Sequence, residues 1–422
     1  MKQTLTAGFP QPRWFRYLNK LWASTYPLGT KIKLDKDTLI RQARKTTGLT
    51  DLGIDFWDEP LHRMLGSMND EAHLSPAGRF ISSKRLVNLL GIRLRATEYF
   101  RRFPEILELE LYPAWIIVGL QRTGTTKLHR LLSVDPGHRV IPSWEAINPV
   151  PFGEPRAVHS GQEQPAEKRI RIARNSVHAV KLISPGFFAV HPLAALEPEE
   201  DVLLLDISFM STTTEAMMHV PSYSRWLESV DQTPAYTYYG KLLRLMQWLQ
   251  PGKRWILKSP HHLEFLPLMD NLFPDVRFIW PHRSVGESIP SFLSMLTYNH
   301  MIFSEQVDPR KIAERWIRKT GYVLDRAMKF REEGDHSHKF LDILYSDLVA
   351  DSLKELQKIY RQDGGLTSDL ADRFIRHERE HPYRKHGVHR YSLADFGITA
   401  TDLELRTAGY QCFLSSLHGR QS

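Results

Sequence analysis

The rhythm of apolar positions changes along this chain. Over roughly the first 110 residues they recur at helical spacing, as Leu86, Leu89, Leu90 and Leu94 do at i, i+3, i+4 and i+8, with few strand-like alternations. This spacing predicts a mostly helical N-terminal extension over 1–110. Beyond it, short apolar runs bounded by turn residues take over. Trp115-Ile116-Ile117-Val118-Gly119 reads as a buried strand between Pro113 and a glycine-bearing loop. A helix is predicted from Thr125 through Leu132, closing near Asp135-Pro136-Gly137. The runs Val202–Leu205, Trp255–Leu257, Val276–Trp280 and Phe340–Leu344 predict further strands, with helical patterns between them. Alternating strand and helix implies a parallel sheet covered on both faces, so 111–422 is expected to form an α/β domain. Residues 153–170, rich in Gly, Pro, Glu and Arg, are expected to be a connecting loop or lid, and no internal repeat stands out.

Composition narrows this picture only in places. With 42% hydrophobic and 25% charged residues, wholesale disorder and fibrous classes are excluded. The single cysteine, Cys412, rules out an intramolecular disulfide and an all-cysteine zinc site. No apolar run approaches the ~18 residues of a spanning helix, and Met1-Lys2-Gln3-Thr4-Leu5 lacks an apolar signal core, so a cytoplasmic protein is expected. The net charge of +8 is not gathered in one basic block, and arginines recur beside Gly, Ser and Thr. This pattern favours pockets for small polyanions over a nucleic-acid surface.

The strongest chemical signal is Gly119-Leu120-Gln121-Arg122-Thr123-Gly124-Thr125-Thr126. Gly119 and Gly124 keep the spacing of G-x-x-x-x-G-K-[ST], after a predicted strand and before a predicted helix. Glycine lets backbone N–H groups turn toward an anion, the helix start adds its positive dipole end, and Thr125 and Thr126 bring hydroxyls. Thr125 occupies the lysine position, so the cation that bridges the phosphates of ATP is missing there. Arg122 stands inside the loop instead, and its planar fork suits two oxygens of one phosphate or sulfate.

The segment resembles the loop of the PAPS-dependent sulfotransferases, P-[KR]-[ST]-G-T-T, through Arg122-Thr123-Gly124-Thr125-Thr126, Leu128-His129-Arg130-Leu131-Leu132 and Asp135-Pro136. It looks like the broad, largely bacterial branch of that family, with Gln121 departing from the usual proline. The resemblance implies a P-loop-like central parallel sheet flanked by helices. It also implies transfer of a sulfuryl group from 3′-phosphoadenosine 5′-phosphosulfate (PAPS) to a hydroxyl or amine by in-line displacement, leaving PAP, with no metal expected. The partner is then a small-molecule acceptor of unstated class, without nucleic acid.

Other residues are consistent with that chemistry. Arg283 closes Phe278-Ile279-Trp280-Pro281-His282, and Ser291 lies eight positions on, in a helix predicted over Gly286–Leu296 that also carries Ser288, Ser294 and Pro290. A strand-end arginine and a helical serine can converge on one phosphate. By resemblance they hold the 3′-phosphate, Arg384, Lys385 and Gly387 close over it, and Tyr345 meets the adenine unless it is an ordinary half-buried tyrosine. Lys258, at a strand's carboxyl edge before Ser259-Pro260-His261-His262, resembles the lysine that contacts the bridging oxygen. Two candidates compete for the base: Glu145 in Ser143-Trp144-Glu145, favoured for its resemblance to the glutamate base of tyrosylprotein sulfotransferases, and His261 or His262 after the lysine. Glu199-Glu200 is expected to cap or salt-bridge a strand edge, and Tyr223, Trp226, Tyr236, Tyr238 and Tyr239 to be core or the wall of an acceptor pocket. An ATP-dependent P-loop kinase or NTPase, and a non-catalytic nucleotide- or nucleic-acid-binding protein, are the alternatives.

Overall fold

A computed structural model describes residues 9, 11–25, 34–153, 165–381 and 392–419. Five strands form one sheet: β1 (Ala114–Ile117), β2 (His138–Arg139), β3 (Arg254–Lys258), β4 (Arg277–His282) and β5 (Phe340–Leu344). Their order is β2-β3-β1-β4-β5, and every neighbouring pair is parallel. Ile117, the last residue of β1, pairs with Lys258 on one side and Ile279 on the other. The chain leaves β1 toward β2 and β3, then crosses to β4 and β5, so the crevice beyond the carboxyl end of β1 is the topological switch point.

Both faces are covered, as a parallel sheet requires. Trp115, Ile117, Ile256, Ile279 and Ile343 pack under Leu128, Leu131 and Leu132 of the Thr125–Leu132 helix and under Leu356, Ile359 and Phe374. The alternate residues, Ile116, Trp255, Leu257, Phe278 and Trp280, enter a larger core that takes in the N-terminal helices Lys36–Thr47, Asp58–Asp70 and Pro76–Arg102. The helices Thr233–Leu249 and Val285–Phe303 complete that layer.

Four of the expected strands are present, and the helix Thr125–Leu132 has the predicted bounds. Val202–Leu205 is not a strand: it forms one α-helical turn, continued by a 3-10 turn over Asp206–Ser208. A four-residue apolar run carries no period, and here Leu204 N–H returns to the Asp201 carbonyl at 2.9 Å rather than to a neighbouring strand. The segment expected to be a loop over 153–170 already turns helical at Pro165, at the start of Pro165–Ile183, where a proline is tolerated because its missing N–H has no helical partner. Residues 154–164 lie outside the described residues. The helix expected over Gly286–Leu296 runs further, from Val285 to Phe303, and accommodates Pro290 within it.

Candidate functional site

The phosphate loop leaves β1 at Val118, whose N–H donates to Ile279 O at 2.9 Å. Three of its residues have left-handed backbones: Gly119 at φ 131°, Arg122 at φ 68° and Gly124 at φ 94°. Glycine is needed at both ends. A Cβ on Gly119 would lie 3.1 Å from Pro281 O, and one on Gly124 would lie 2.9 Å from Cδ2 of Tyr345. The buried Thr123 hydroxyl donates to Leu120 O at 2.7 Å and staples the loop across itself. Thr125 is buried and Thr126 exposed at the start of the following helix, which no side chain caps. The first N–H groups of that helix are thus left without a capping side chain, as an anion-binding helix start requires. The lysine nearest the loop, Lys127, is directed elsewhere: its ammonium donates to Leu348 O at 3.1 Å and pairs with Glu378 at 3.0 Å.

Arg122 gathers the second predicted pair. Its Nε donates to Ser291 Oγ at 3.0 Å and its Nη1 to Val190 O at 3.1 Å, while its own carbonyl accepts from Arg283 Nη1 at 3.0 Å. These contacts hold a non-glycine residue in a backbone region it rarely adopts. Arg283 also pairs with Glu287 at 2.9 Å, and its guanidinium lies 4.4 Å from the centroid of the Tyr345 ring. Arg122, Arg283, Ser291 and Tyr345, far apart in the sequence, thus meet at one place. Of the three helix serines, Ser288 bonds back to Ser284 O and Ser294 is buried, which leaves Ser291 on the site face. Arg384, Lys385 and Gly387 lie outside the described residues.

Lys258 is 2% exposed, and its ammonium donates to Glu200 Oε1 at 2.8 Å. Glu199 accepts from the Glu200 N–H at 3.0 Å, so this acidic pair does more than edge a strand: one member caps locally and the other holds Lys258. Asp201, which the motifs did not single out, ties the same corner together. It accepts from Lys258 N–H at 3.1 Å, from the Tyr239 hydroxyl at 3.2 Å and from His262 Nε2 at 2.8 Å. With Nε2–H donated, His262 Nδ1 accepts from the Tyr236 hydroxyl at 2.9 Å, so both ring nitrogens of His262 are engaged.

The base candidates separate by what they touch. Glu145 is buried and receives both its oxygens' bonds from Arg139 Nη2, each at 2.7 Å. His261 is also buried, but neither ring nitrogen has a hydrogen-bond partner. Burial, then the neighbouring His262 and Lys319, hold its pKa well below the ordinary imidazole value, so the ring is neutral. It stacks parallel to Tyr236 at 6.4 Å and lines a small pocket with Leu120, Gln121, Glu264, Trp316 and Lys319. Tyr223, Tyr236, Tyr238 and Tyr239 are core residues and Trp226 is partly buried, so among these aromatics only Tyr236 reaches the pocket wall, through His261.

Sequence reading missed Glu264 and Lys319 as well. Lys319 bonds the buried Glu215 and lies 3.9 Å from Glu264. Burial raises the Glu264 pKa, Lys319 lowers it, and Glu215 and Glu228 raise it again, with the net result pushed up to about 7. Nothing in the sequence signals a triad drawn from three separate helices. Among the described residues no group of three or more His, Cys, Asp or Glu side chains is arranged to hold a metal ion, and no described helix is long and apolar enough to cross a membrane.

A five-stranded parallel sheet with a glycine-bearing loop at its switch point, an arginine–serine corner beside it and a buried lysine at the end of a neighbouring strand make an α/β architecture of the P-loop-like kind. This chain belongs to the sulfotransferase family, whose family model matches residues 113–369. It is similar to the omega-hydroxy-beta-dihydromenaquinone-9 sulfotransferase Stf3 of Mycobacterium bovis, at 24% identity over 259 residues, covering 60% of this chain and 63% of that protein. The chain thus spans less than two thirds of that relative's length. Among solved structures it resembles sulfotransferase STF1 of Mycobacterium tuberculosis, with a TM-score of 0.75 and 31% identity over 89% of this chain and 99% of that one. The fold also matches that of sulfotransferase STF9 from Mycobacterium avium, with a TM-score of 0.78 and 24% identity over 91% and 97% of the two chains.

Proposed function

We propose that this protein is a PAPS-dependent sulfotransferase acting on a hydroxyl or amine of a small, predominantly apolar acceptor. The observation that carries this reading is the meeting of Arg122, Arg283, Ser291 and Tyr345 beside the loop, with Lys258 across the switch point. An ATP-dependent enzyme has no use for the second corner. Its cations and hydroxyl fit a 3′-phosphate, and the Tyr345 ring offers a face for adenine. Arg384, Lys385 and Gly387 are assigned to the same phosphate by resemblance. In this reading 111–422 carries the donor site, 1–110 is its helical extension, and the protein works in the cytoplasm.

PAPS supplies a sulfuryl group on a phosphosulfate bridge, already activated for transfer to an oxygen or nitrogen nucleophile. The chain does the rest. With the donor bound, loop amides, the helix start and the Lys258 ammonium, paired with Glu200 in this structure, would be the groups placed to stabilise the negative charge that develops on the leaving phosphate. The acceptor enters beside Leu120, Gln121 and Trp316, and an unpartnered nitrogen of the neutral His261 takes its proton as the new bond to sulfur forms. Glu145 is not given this task because its two oxygens are already bound to Arg139. The Mycobacterium bovis relative is named for a hydroxylated menaquinone, which fits an apolar alcohol here.

The test is calorimetric titration followed by turnover. PAP should bind well and ADP with Mg²⁺ poorly, and Arg122→Ala and Arg283→Ala should each weaken PAP binding by about 10- to 100-fold, the range of a lost charged hydrogen bond. A screen of acceptor classes with PAPS, read as the mass gain of one sulfo group, should then find an acceptor whose turnover His261→Gln lowers by about 100-fold with PAP affinity intact. Equal affinity for PAP and ADP would return the chain to the kinase or NTPase reading. Full turnover in His261→Gln with loss in Glu145→Gln would transfer the base to Glu145.

A further inference from the structure

Among the described residues, the helix Arg13–Thr25 packs on the body of the protein through one face. Phe15 and Asn19 are buried against the body of the protein, where the Asn19 side-chain oxygen accepts from Ala77 N–H at 3.0 Å, and Trp22 meets Phe80 at 5.5 Å between ring centroids. On another face Trp14, Tyr17, Leu18 and Leu21 are 50%, 74%, 42% and 64% exposed. Their i, i+3, i+4, i+7 spacing places them on one stripe within an arc of about 100°. Phe80, 45% exposed on the helix Pro76–Arg102, meets Trp22 at the border of this face, and the Lys84 ammonium lies 5.5 Å from the centre of its ring. Single exposed apolar residues need no explanation, but a contiguous aromatic and leucine stripe does.

The flanking charge identifies what covers it. Arg13, Arg16 and Lys20 are all exposed on a third side of the helix, and residues 13–25 contain no Asp or Glu. A second copy of the chain meeting this patch across a twofold axis would bring these cations against their own images. An anionic lipid surface complements both elements at once: Trp and Tyr seat at headgroup depth, Leu18 and Leu21 enter the acyl boundary, and the cations pair with phosphates. We propose that Arg13–Thr25, with Phe80 and Lys84, is a docking face for an anionic bilayer surface, as the cytoplasmic leaflet presents. The chain just before the helix reaches the end of Val285–Phe303, whose earlier turns carry Ser291: Gln11 donates to Met301 O at 2.6 Å. Docking would then place the membrane on the side of the protein where Val285–Phe303 ends, a geometry suited to an acceptor drawn from the bilayer.

The experiment is co-sedimentation of the full chain with large unilamellar vesicles of phosphatidylcholine alone or with 30% phosphatidylglycerol as probe. Binding should appear with the anionic vesicles, fall with added salt and be absent from the neutral ones. Trp14→Gln combined with Leu21→Gln should lower the partition coefficient about tenfold or more, with circular dichroism and PAP affinity unchanged because both side chains are exposed. Arg16→Ser with Lys20→Ser, a milder pair, should remove most of the lipid-charge preference. Failure of the wild-type chain to bind anionic vesicles, or equal binding by the Trp14→Gln, Leu21→Gln variant, overturns the proposal. A dimer in sedimentation velocity that this variant dissolves, in a protein that ignores vesicles, overturns it in favour of a second copy.

Discussion

Lys319 sits between two buried carboxylates and can neutralise only one of them. It bonds Glu215, and despite its burial its pKa is raised by Glu215 and Glu264 together. Glu264, 3.9 Å away, keeps the uncompensated share, and burial above all pushes it up to about 7. The sign of its effect on stability follows. An unfolded glutamate titrates near ~4.3, so between about that value and 7 the folded protein holds a proton that the unfolded chain has lost, and stability falls as pH rises through this window. Glu264→Gln removes the titration and leaves Lys319 with Glu215. Calorimetric Tm measured from pH 4.5 to 8 should therefore decline less in the variant than in the wild type, with the two curves closest at the acid end. An unchanged difference across the window would show that Glu264 does not titrate there. Because Glu264 also lines the pocket with His261, kcat/KM is expected to carry an inflection near pH 7 that Glu264→Gln abolishes.

In the proposed function donor binding turns on the loop, and Gly124 is a position in it that a side chain cannot occupy without strain. At φ 94° an alanine is strained whatever the space, and its Cβ would press on Tyr345, which itself lies against Arg283. Gly124→Ala should cost on the order of 1–3 kcal/mol and weaken PAP binding at least about tenfold by calorimetry. Gly66 provides the contrast: it lies exposed inside the helix Asp58–Asp70, and a Cβ there meets nothing within 4 Å. Gly66→Ala should stabilise by roughly 0.5–1 kcal/mol in denaturant unfolding and leave PAP affinity alone. Loss of PAP binding in both variants would mean that general stability, not loop geometry, is being measured. The loop was legible in the sequence because its physics is local: glycines, a helix start and an apolar strand stand next to one another. The strands at its sides were legible for the same reason, as runs buried on both faces. Val202–Leu205 presents the same kind of run and folds as a helical turn, because its outcome is set by Asp201, anchored to Lys258 and His262 more than 50 positions away. The two-residue strand His138–Arg139 is too short to carry any period. Likewise the pairing of Glu145 with Arg139, the freedom of His261 and the Glu264–Lys319–Glu215 triad depend on how distant elements meet, and no spacing records that.

At the scale of the whole molecule, the helical N-terminal region is distinct in sequence character but shares its core with the sheet. Arg93, fully buried, donates to Leu52 O at 2.9 Å and Asp55 O at 3.1 Å and stacks its guanidinium 4.3 Å from the centre of the Tyr238 ring. Arg85 pairs with the buried Asp206 at 2.7 Å. Tyr99 and Phe103 pack on Trp248 at 6.4 and 4.8 Å. Gly78 lies so close to the end of Val285–Phe303 that a Cβ would fall 2.0 Å from Phe303 O, and the Ser75 N–H donates to that same oxygen at 2.8 Å. Removing residues 1–110 would strip Arg93 from Tyr238, Tyr99 and Phe103 from Trp248, and Arg85 from the buried Asp206, uncovering apolar surface and leaving a buried carboxyl without its partner. A chain of 111–422 alone should therefore fail to bind PAP, although the loop, Lys258, Arg283 and Ser291 are all retained, and should lack a cooperative thermal transition while binding a hydrophobic dye. The intact chain should unfold in one transition, with far-ultraviolet circular dichroism of the helices and near-ultraviolet signals of the buried tryptophans coinciding. If 111–422 instead binds PAP with full affinity and melts cooperatively, the first 110 residues are a separable module and the shared core is not what holds the donor site in shape.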